Sequence, residues 1–303
     1  MAVKDYLLEH PGQGTIVYFG CPAEEGGAGK AFMVREGCFK DCDICLAWHP
    51  YSATFASVSS LANARIIYRF TGKSAHAATS PYLGRSALDA VELMNVGTNF
   101  LREHMIDAAR IHYAITDAGG RSPNVVQPRA SVLYMVRSNH VAEAVELQKR
   151  VDKIAEGAAL MTETTFEKKF IDGLADTVTN HALERVLYQN FQELGVPTHT
   201  AEELAFADQL SATYPGSDLV PGVGSQYDLD YADQVRALRK EAGHAMNDFL
   251  MPLYQGDAFE PGSTDVGDVS WQTPTVQCYA VTFPSGAPGH SWQNVSCGGS
   301  SIG

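Results

Sequence analysis

Apolar positions along the chain fall into three successive patterns. From Val3 to Glu9 they keep helical spacing, which Pro11-Gly12 ends. Gly14-Thr-Ile-Val-Tyr-Phe-Gly20 is a continuous β-branched and aromatic run, which predicts a strand buried on both faces. Gly29 to Glu36 reads as a helix stopped by Gly37, and Ile44-Cys-Leu-Ala-Trp48 is a second apolar run, followed by His49-Pro50. Helix, strand, helix, strand is the rhythm of an α/β domain built on a parallel sheet.

Near residue 60 the period changes. Ala64 to Phe70 alternates like a strand with one wet face, and so do Arg110 to Thr116 and Ala130 to Val136. Arg85 to Arg102 and Ala142 to Ile154 have helical spacing, the second with Glu143, Glu146 and Lys149 three apart on one face. Ala158 to Phe166 reads as a further strand. The order strand, helix, strand, strand, helix, strand is that of a split-βαβ, ferredoxin-like unit. Helical spacing then returns over Leu183 to Leu194 and Ala201 to Leu210, before a loop-rich stretch from Tyr214 to Tyr227 and a strand from Val276 to Phe283. The fold class this predicts is α/β: a parallel-sheet domain at 1–60 and 173–303, interrupted by an inserted α+β ferredoxin-like unit at 61–172.

Composition narrows the partners. The 303 residues carry 35 acidic against 22 basic side chains, a formal net charge of −13. Affinity for phosphate backbones and anionic lipid comes from clustered Lys and Arg, so neither nucleic acid nor a membrane surface is an expected partner. No apolar run approaches the ~18–20 residues of a membrane helix. Six cysteines in a chain of this length are no disulfide scaffold, which makes a reducing cytoplasm the expected compartment.

Candidate chemistry gathers at strand ends. Glu24-Glu25 follows the Gly14–Gly20 run, and open α/β sheets place their sites at the carboxyl ends of strands. Adjacent carboxylates repel unless a cation or a proton separates their roles. One could bind a metal while the other takes a proton from bound water; a solvated acidic turn is the plain alternative. His49 follows the next strand, and His290 stands in the turn Pro288-Gly-His. With Glu25 these make two nitrogens and one carboxylate, a ligand set of catalytic type, although each His alone could equally be a hydrogen-bonded structural residue. His76 lies among small residues in Gly72-Lys-Ser-Ala-His-Ala-Ala78, either close to a ligand or simply on a surface loop.

Three other patterns lead nowhere. Cys42-Asp-Ile-Cys45 has no second cysteine pair at zinc-knuckle distance, and Cys45 falls in an apolar run as a buried strand residue would. Gly26-Gly-Ala-Gly-Lys30 has the wrong gap for a phosphate loop, and Ala31 stands where Ser or Thr would follow the lysine. Gly119-Gly-Arg-Ser-Pro has no helix after it to cradle a phosphate.

Pro22-Ala-Glu-Glu-Gly26, Trp48-His-Pro50, Gly72 to Ala78, Asn124-Val-Val-Gln-Pro128, Gly262-Ser-Thr-Asp265 and Pro288-Gly-His290 occur in one order. That series resembles the dinuclear metallo-amidohydrolases related to carboxypeptidase G, aminoacylase and the plant auxin-conjugate hydrolases. The resemblance runs over essentially the whole chain. It implies a catalytic α/β domain with an inserted lid that also dimerises. It implies Glu24 as general base and acid, Glu25, His49 and His290 as ligands of a divalent metal, Mn or Zn, and His76 reaching across the dimer to the oxyanion. Asn124 would contact substrate, and Arg129 could pair with a substrate carboxylate through its guanidinium fork. The substrate implied is an N-acyl amino acid, with p-aminobenzoyl-glutamate leading. The expected assembly is a homodimer through the lid or a heterodimer with a homologous subunit.

Members of the family carry a Cys-Gly-His segment with two further metal ligands before the strand that matches Gly14–Gly20, and here only thirteen residues precede it. The chain is therefore expected to lack both ends of the family's catalytic domain. A catalytically silent, dimerising or ligand-binding member is the alternative to a hydrolase.

Overall fold

The computed structural model describes residues 2–56, 58–215, 228–256 and 258–303. It is a mixed α/β structure with its largest sheet in the middle of the chain. That sheet has four strands, β4 (Ala62–Thr71), β5 (Arg110–Asp117), β6 (Arg129–Ser138) and β7 (Thr165–Leu174), in the order β5-β6-β4-β7 and antiparallel throughout. Helices α4 (Ala87–Leu101) and α5 (Val141–Thr162) cover one face. Every second residue of β4 (Ile66, Tyr68, Phe70) enters the core between sheet and helices, with Val91 and Met94 of α4, Val132, Tyr134 and Val136 of β6, and Val151 of α5. Burying an apolar side chain of this size contributes ~1.5–3 kcal/mol, so this alternation holds the sheet in register. Ser86 caps α4 by accepting the Asp89 N–H at 3.1 Å, and His140 with Glu143 forms a capping box at α5.

The remainder of the chain builds a smaller sheet. β1 (Cys45–Tyr51) runs parallel to β9 (Thr275–Val281), and β2 (Phe55–Ala56) pairs antiparallel to the other side of β9. A short parallel pair joins β3 (Ser59–Ser60) to β8 (Phe259–Glu260). This part of the chain also carries α1 (Ala2–Glu9), α2 (Glu24–Gly27), α3 (Gly29–Arg35), α6 (His181–Leu194), α7 (Ala201–Ser211), α8 (Leu229–Ala242), α9 (Val266–Ser270) and α10 (Trp292–Gly298). Phe55, Tyr231, Val235, Met251 and Tyr279 form one buried cluster here, and Leu210, Met246, Val281 and Cys297 another. Among the described residues no helix is long and apolar enough to cross a membrane. All six cysteines are free thiols.

Several expectations are corrected. Gly14–Gly20 forms no strand, and Ile16, Val17 and Tyr18 are exposed, Tyr18 by 93%. An apolar run becomes a buried strand only where neighbours pair with both its edges, and none does here. Ala158 to Thr162 is the last part of α5, not a strand; Glu163 closes the helix in the left-handed region at φ 51°, and β7 starts at Thr165. His49 lies within β1 rather than beyond its end, and that strand alternates half-buried and exposed positions, with Leu46 and Trp48 facing outward. Cys45 is half-buried rather than buried. The loop-rich stretch expected from Tyr214 falls, from residue 216 to 227, outside the described residues.

Candidate active site

Parallel pairing of β1 with β9 sets His49 opposite Tyr279, and their rings approach to 5.5 Å between centroids. A cleft of about 1680 Å³ opens over this pair. Glu24, Glu25, His49 and His290 all line it. Glu24 and Glu25 stand in the first turn of α2, with Glu24 half-buried and Glu25 exposed. Their turn is held tightly: Ala23 and Ala28 flank it at φ 60° and 50°, both in the left-handed region without being glycine. Such conformations cost of order 1–3 kcal/mol and persist where surrounding structure imposes them. His290, at φ 56°, is a third non-glycine residue of this kind at the same cleft.

What fixes the turn is packing on both sides of it. A Cβ at Gly29 would lie 1.9 Å from the Pro22 carbonyl oxygen, so only glycine starts α3 here. The next residue, Lys30, donates from Nζ to Asp265 Oδ1 at 2.7 Å and from its backbone N–H to Oδ2 at 2.9 Å. Asp265 is fully buried and follows the Gly262–Thr264 segment, which lines the cleft. The carboxylate turn and that segment are thus pinned to each other.

His49 Nδ1 lies 2.7 Å from the Pro50 carbonyl oxygen. A carbonyl only accepts, so Nδ1 carries the hydrogen and neutral His49 keeps its lone pair on Nε2. That is the tautomer an imidazole needs to act as ligand or base. Yet among the described residues no three of His, Cys, Asp and Glu come close enough together to hold a metal ion. Glu25, His49 and His290 share a cleft without closing a ligand set, so this arrangement does not fit a metal centre.

Other predicted residues sit elsewhere. His76 is exposed on a loop bridged to Val125, and Ala77 N–H donates to the Asn124 carbonyl at 2.9 Å, which keeps His76 and Asn124 together. Neither lines the cleft, and neither does Arg129, which is exposed at the start of β6 opposite Thr71.

Sequence reasoning missed several other residues that line the cleft. Arg110 and His112 of β5 and Arg137 of β6 line it. Arg110 and Arg137 are direct cross-strand partners, an arrangement of like charges that destabilises a sheet unless an anion lies between them. Arg137 donates from Nη1 to Ser263 Oγ at 2.8 Å, while its buried Nε has no partner among the described residues. Burial lowers its pKa. Burial, then the nearby Arg137, Arg102 and Arg110, hold His112 below the usual imidazole range, so it stays neutral near pH 7. Arg110 and His112 fall out of phase with the core residue Ile111, the one sequence signal that could have set them aside. Glu260 of β8 also lines the cleft and accepts a hydrogen bond from the Tyr51 hydroxyl at 2.6 Å. The cleft is thus lined by a carboxylate base, imidazoles and two guanidinium groups suited to an anion.

No family model matches the chain. Among curated proteins, it is 47% identical over 304 residues to one of the subunits of p-aminobenzoyl-glutamate hydrolase from Escherichia coli (strain K12), an alignment covering 100% of this chain and 63% of that protein. It is 28% identical over 212 residues to the Xaa-Arg dipeptidase of Homo sapiens, covering 69% of this chain and 48% of the dipeptidase. The chain thus spans between about half and two thirds of these relatives' length. A crystal structure of the aminobenzoyl-glutamate utilization protein from Klebsiella pneumoniae superposes with a TM-score of 0.51 at 19% identity, over 85% of this chain and 55% of that one, which shows a shared fold.

Proposed function

We propose that the chain, homologous over its whole length to that Escherichia coli hydrolase subunit, shares its amidohydrolase family and hydrolyses the amide bond of an N-acyl amino acid, p-aminobenzoyl-glutamate first among them. The observation that carries this reading is that Glu24, Glu25, His49 and His290 line one cleft together with Arg110 and Arg137. Products would be p-aminobenzoate and glutamate.

In this reading Glu24 accepts the proton of the attacking water and hands it to the leaving amine. Arg137, with Arg110, takes a carboxylate of the glutamyl group, since a guanidinium fork matches a carboxylate. That role was expected of Arg129, which lies outside the cleft. The metal implied by the family resemblance, Mn or Zn, would draw on Glu25, His49 and His290, donors that do not converge among the described residues.

His76 and Asn124 sit together outside the cleft, which supports a role for both in the site of a second chain, with His76 at the oxyanion. The units would be a catalytic α/β domain at 1–60 and 173–303 and an inserted ferredoxin-like lid at 61–172 that carries the dimer contact. The four-stranded antiparallel sheet with its two helices supports that division. The relatives include two different subunits of p-aminobenzoyl-glutamate hydrolase, the second through its homologue from Haemophilus influenzae, at 27% identity. That supports pairing with a homologous subunit over a homodimer. Six free thiols favour a reducing compartment, the cytoplasm.

The test is release of p-aminobenzoate from p-aminobenzoyl-glutamate, by the chain alone and mixed with a homologue of the hydrolase's other subunit, with and without added Mn or Zn. Glu24→Gln is expected to lower kcat by ~10²–10⁴ with KM and circular dichroism unchanged. Equal turnover in that variant removes Glu24 from the mechanism; no turnover under any condition removes the hydrolase reading.

A further inference from the structure

One carboxyl on the cleft wall, Glu260, has no task in the chemistry above. Glu260 belongs to the two-residue strand β8, with Ser60 opposite it, and it is half-buried where it lines the cleft. Its Oε1 accepts the Tyr51 hydroxyl at 2.6 Å, and among the described residues its carboxyl makes no other hydrogen bond. A carboxyl has two acceptor oxygens, so Oε2 is left to a donor from within the cleft. Burial pushes its pKa up and the Tyr51 hydrogen bond pulls it down. A buried carboxyl is costly without donors and gains from each one it meets.

The surroundings of this carboxyl are aromatic. The Tyr51 ring stands edge-on to Tyr279 at 5.3 Å and lies 6.2 Å from Phe283. Tyr51, Tyr279 and Phe283 all line the cleft, and Tyr279 continues to His49 at 5.5 Å. Flat rings therefore run from the imidazole to the carboxyl. A ligand suited to this surface has a flat apolar body and a hydrogen-bond donor at its far end.

We propose that Glu260 Oε2 accepts a hydrogen bond from a primary aryl amine whose ring lies against Tyr51, Tyr279 and Phe283, making this end of the cleft the subsite for the arylamine of the acyl group. The proposal rests on the hydrolase reading for the position of the amide, which would lie toward Glu24 and His49. Selectivity follows from the geometry: a ring without a donor leaves Oε2 unpaired, and sites that hold a buried acceptor reject ligands that cannot satisfy it.

Binding separates the subsite from turnover. The whole chain is titrated with p-aminobenzoate, benzoate and 4-(dimethylamino)benzoate by calorimetry. Unmodified protein is expected to bind p-aminobenzoate ~10-fold more tightly than either of the others, the worth of one hydrogen bond. The dimethylamino compound keeps the ring and the nitrogen but has no N–H, so this comparison needs no variant. Glu260→Ala is expected to bind all three alike, and Glu260→Gln, which keeps an acceptor, to retain a ~3-fold preference. Equal affinities in the unmodified protein, a full preference surviving in Glu260→Ala, or no binding of p-aminobenzoate at millimolar concentration overturns the proposal. A preference without turnover supports the subsite and tells against the hydrolase reading alone; turnover without preference does the reverse.

Discussion

The Lys30–Asp265 pair offers a test of how the carboxylate turn is held. The two side chains meet at 2.7 Å with relative exposures of 15% and 0%, so the cation touches solvent and the anion does not. Removing one partner of a buried pair typically costs ~3–5 kcal/mol, because the survivor is left uncompensated. Here the two removals are unequal. Lys30→Met strands a fully buried carboxylate whose one remaining donor in this contact is the Lys30 backbone N–H at 2.9 Å. The expected cost lies near the bottom of that range, ~3 kcal/mol. Asp265→Asn leaves an ammonium that can turn to water, and the amide oxygen still accepts the backbone N–H. Its expected cost is smaller, ~1–2 kcal/mol.

The double variant Lys30→Met/Asp265→Asn carries no buried charge, and so should be more stable than Lys30→Met alone. A double-mutant cycle in urea measures the coupling, with m expected to stay constant if only the native contact changes. For a chain of this size each kcal/mol should move Tm by ~2–4 °C. The reasoning fails if Asp265→Asn costs more than Lys30→Met, or if both cost less than ~1 kcal/mol.

Two further outcomes are expected nearby. Asp268 is half-buried beside Asp265; burial pushes its carboxyl up to about 6, against the pull of the Ala175 N–H and with help from the Asp265 charge. Its folded pKa exceeds the unfolded ~3.9, so its contribution is full below ~4 and lost as pH rises through about 6. Asp268→Asn should therefore match the parent near pH 4 and exceed it by ~1–2 kcal/mol near pH 7.5, a figure discounted for partial solvation, and a pH-independent difference in urea midpoints would refute this. At Gly267 a Cβ would lie 2.1 Å from the Ala175 carbonyl oxygen, a backbone atom, so Gly267→Ala should cost ~3 kcal/mol or more in a thermal melt. Gly157, inside α5 with open space around it, is the control, and Gly157→Ala should gain ~0.5–1 kcal/mol.

How far the fold could be read from the sequence follows from which faces are buried. β4 and β6 alternate because one face packs on α4 and α5 and the other does not, and a period of two survives in the sequence as a consequence. Gly14–Gly20 is more apolar than either, yet forms no strand, because a continuous run states a need for two neighbours and says nothing of whether they are present. Ala158 to Thr162 is ambiguous on composition: its alanines favour helix and the threonines after them favour strand, and the left-handed Glu163 marks the actual junction. α8 leaves no readable period because nearly half of its fourteen residues are charged and only Tyr231, Ala232 and Val235 are buried.

The site was legible in its residue types and opaque in its walls. Motif order names Glu24, Glu25, His49 and His290, but their common cleft follows from the parallel register of β1 on β9, which puts His49 beside Tyr279 from the far end of the chain. Arg110, Arg137 and Glu260 belong to no motif. Periodicity marks them only as out of phase with a core, as it does every solvated charge. What separates them is that two cationic partners face each other across a ladder, and that one half-buried carboxyl has a single donor among the described residues. Both are departures from what an isolated sheet would choose, and both are relieved by a ligand with an anionic end and a donor end. The cleft therefore carries its own statement of polarity. In the proposed reading a glutamyl carboxylate would be taken by Arg110 and Arg137 and an aryl amine by Glu260, with the amide left to Glu24 and His49, which line the same cleft.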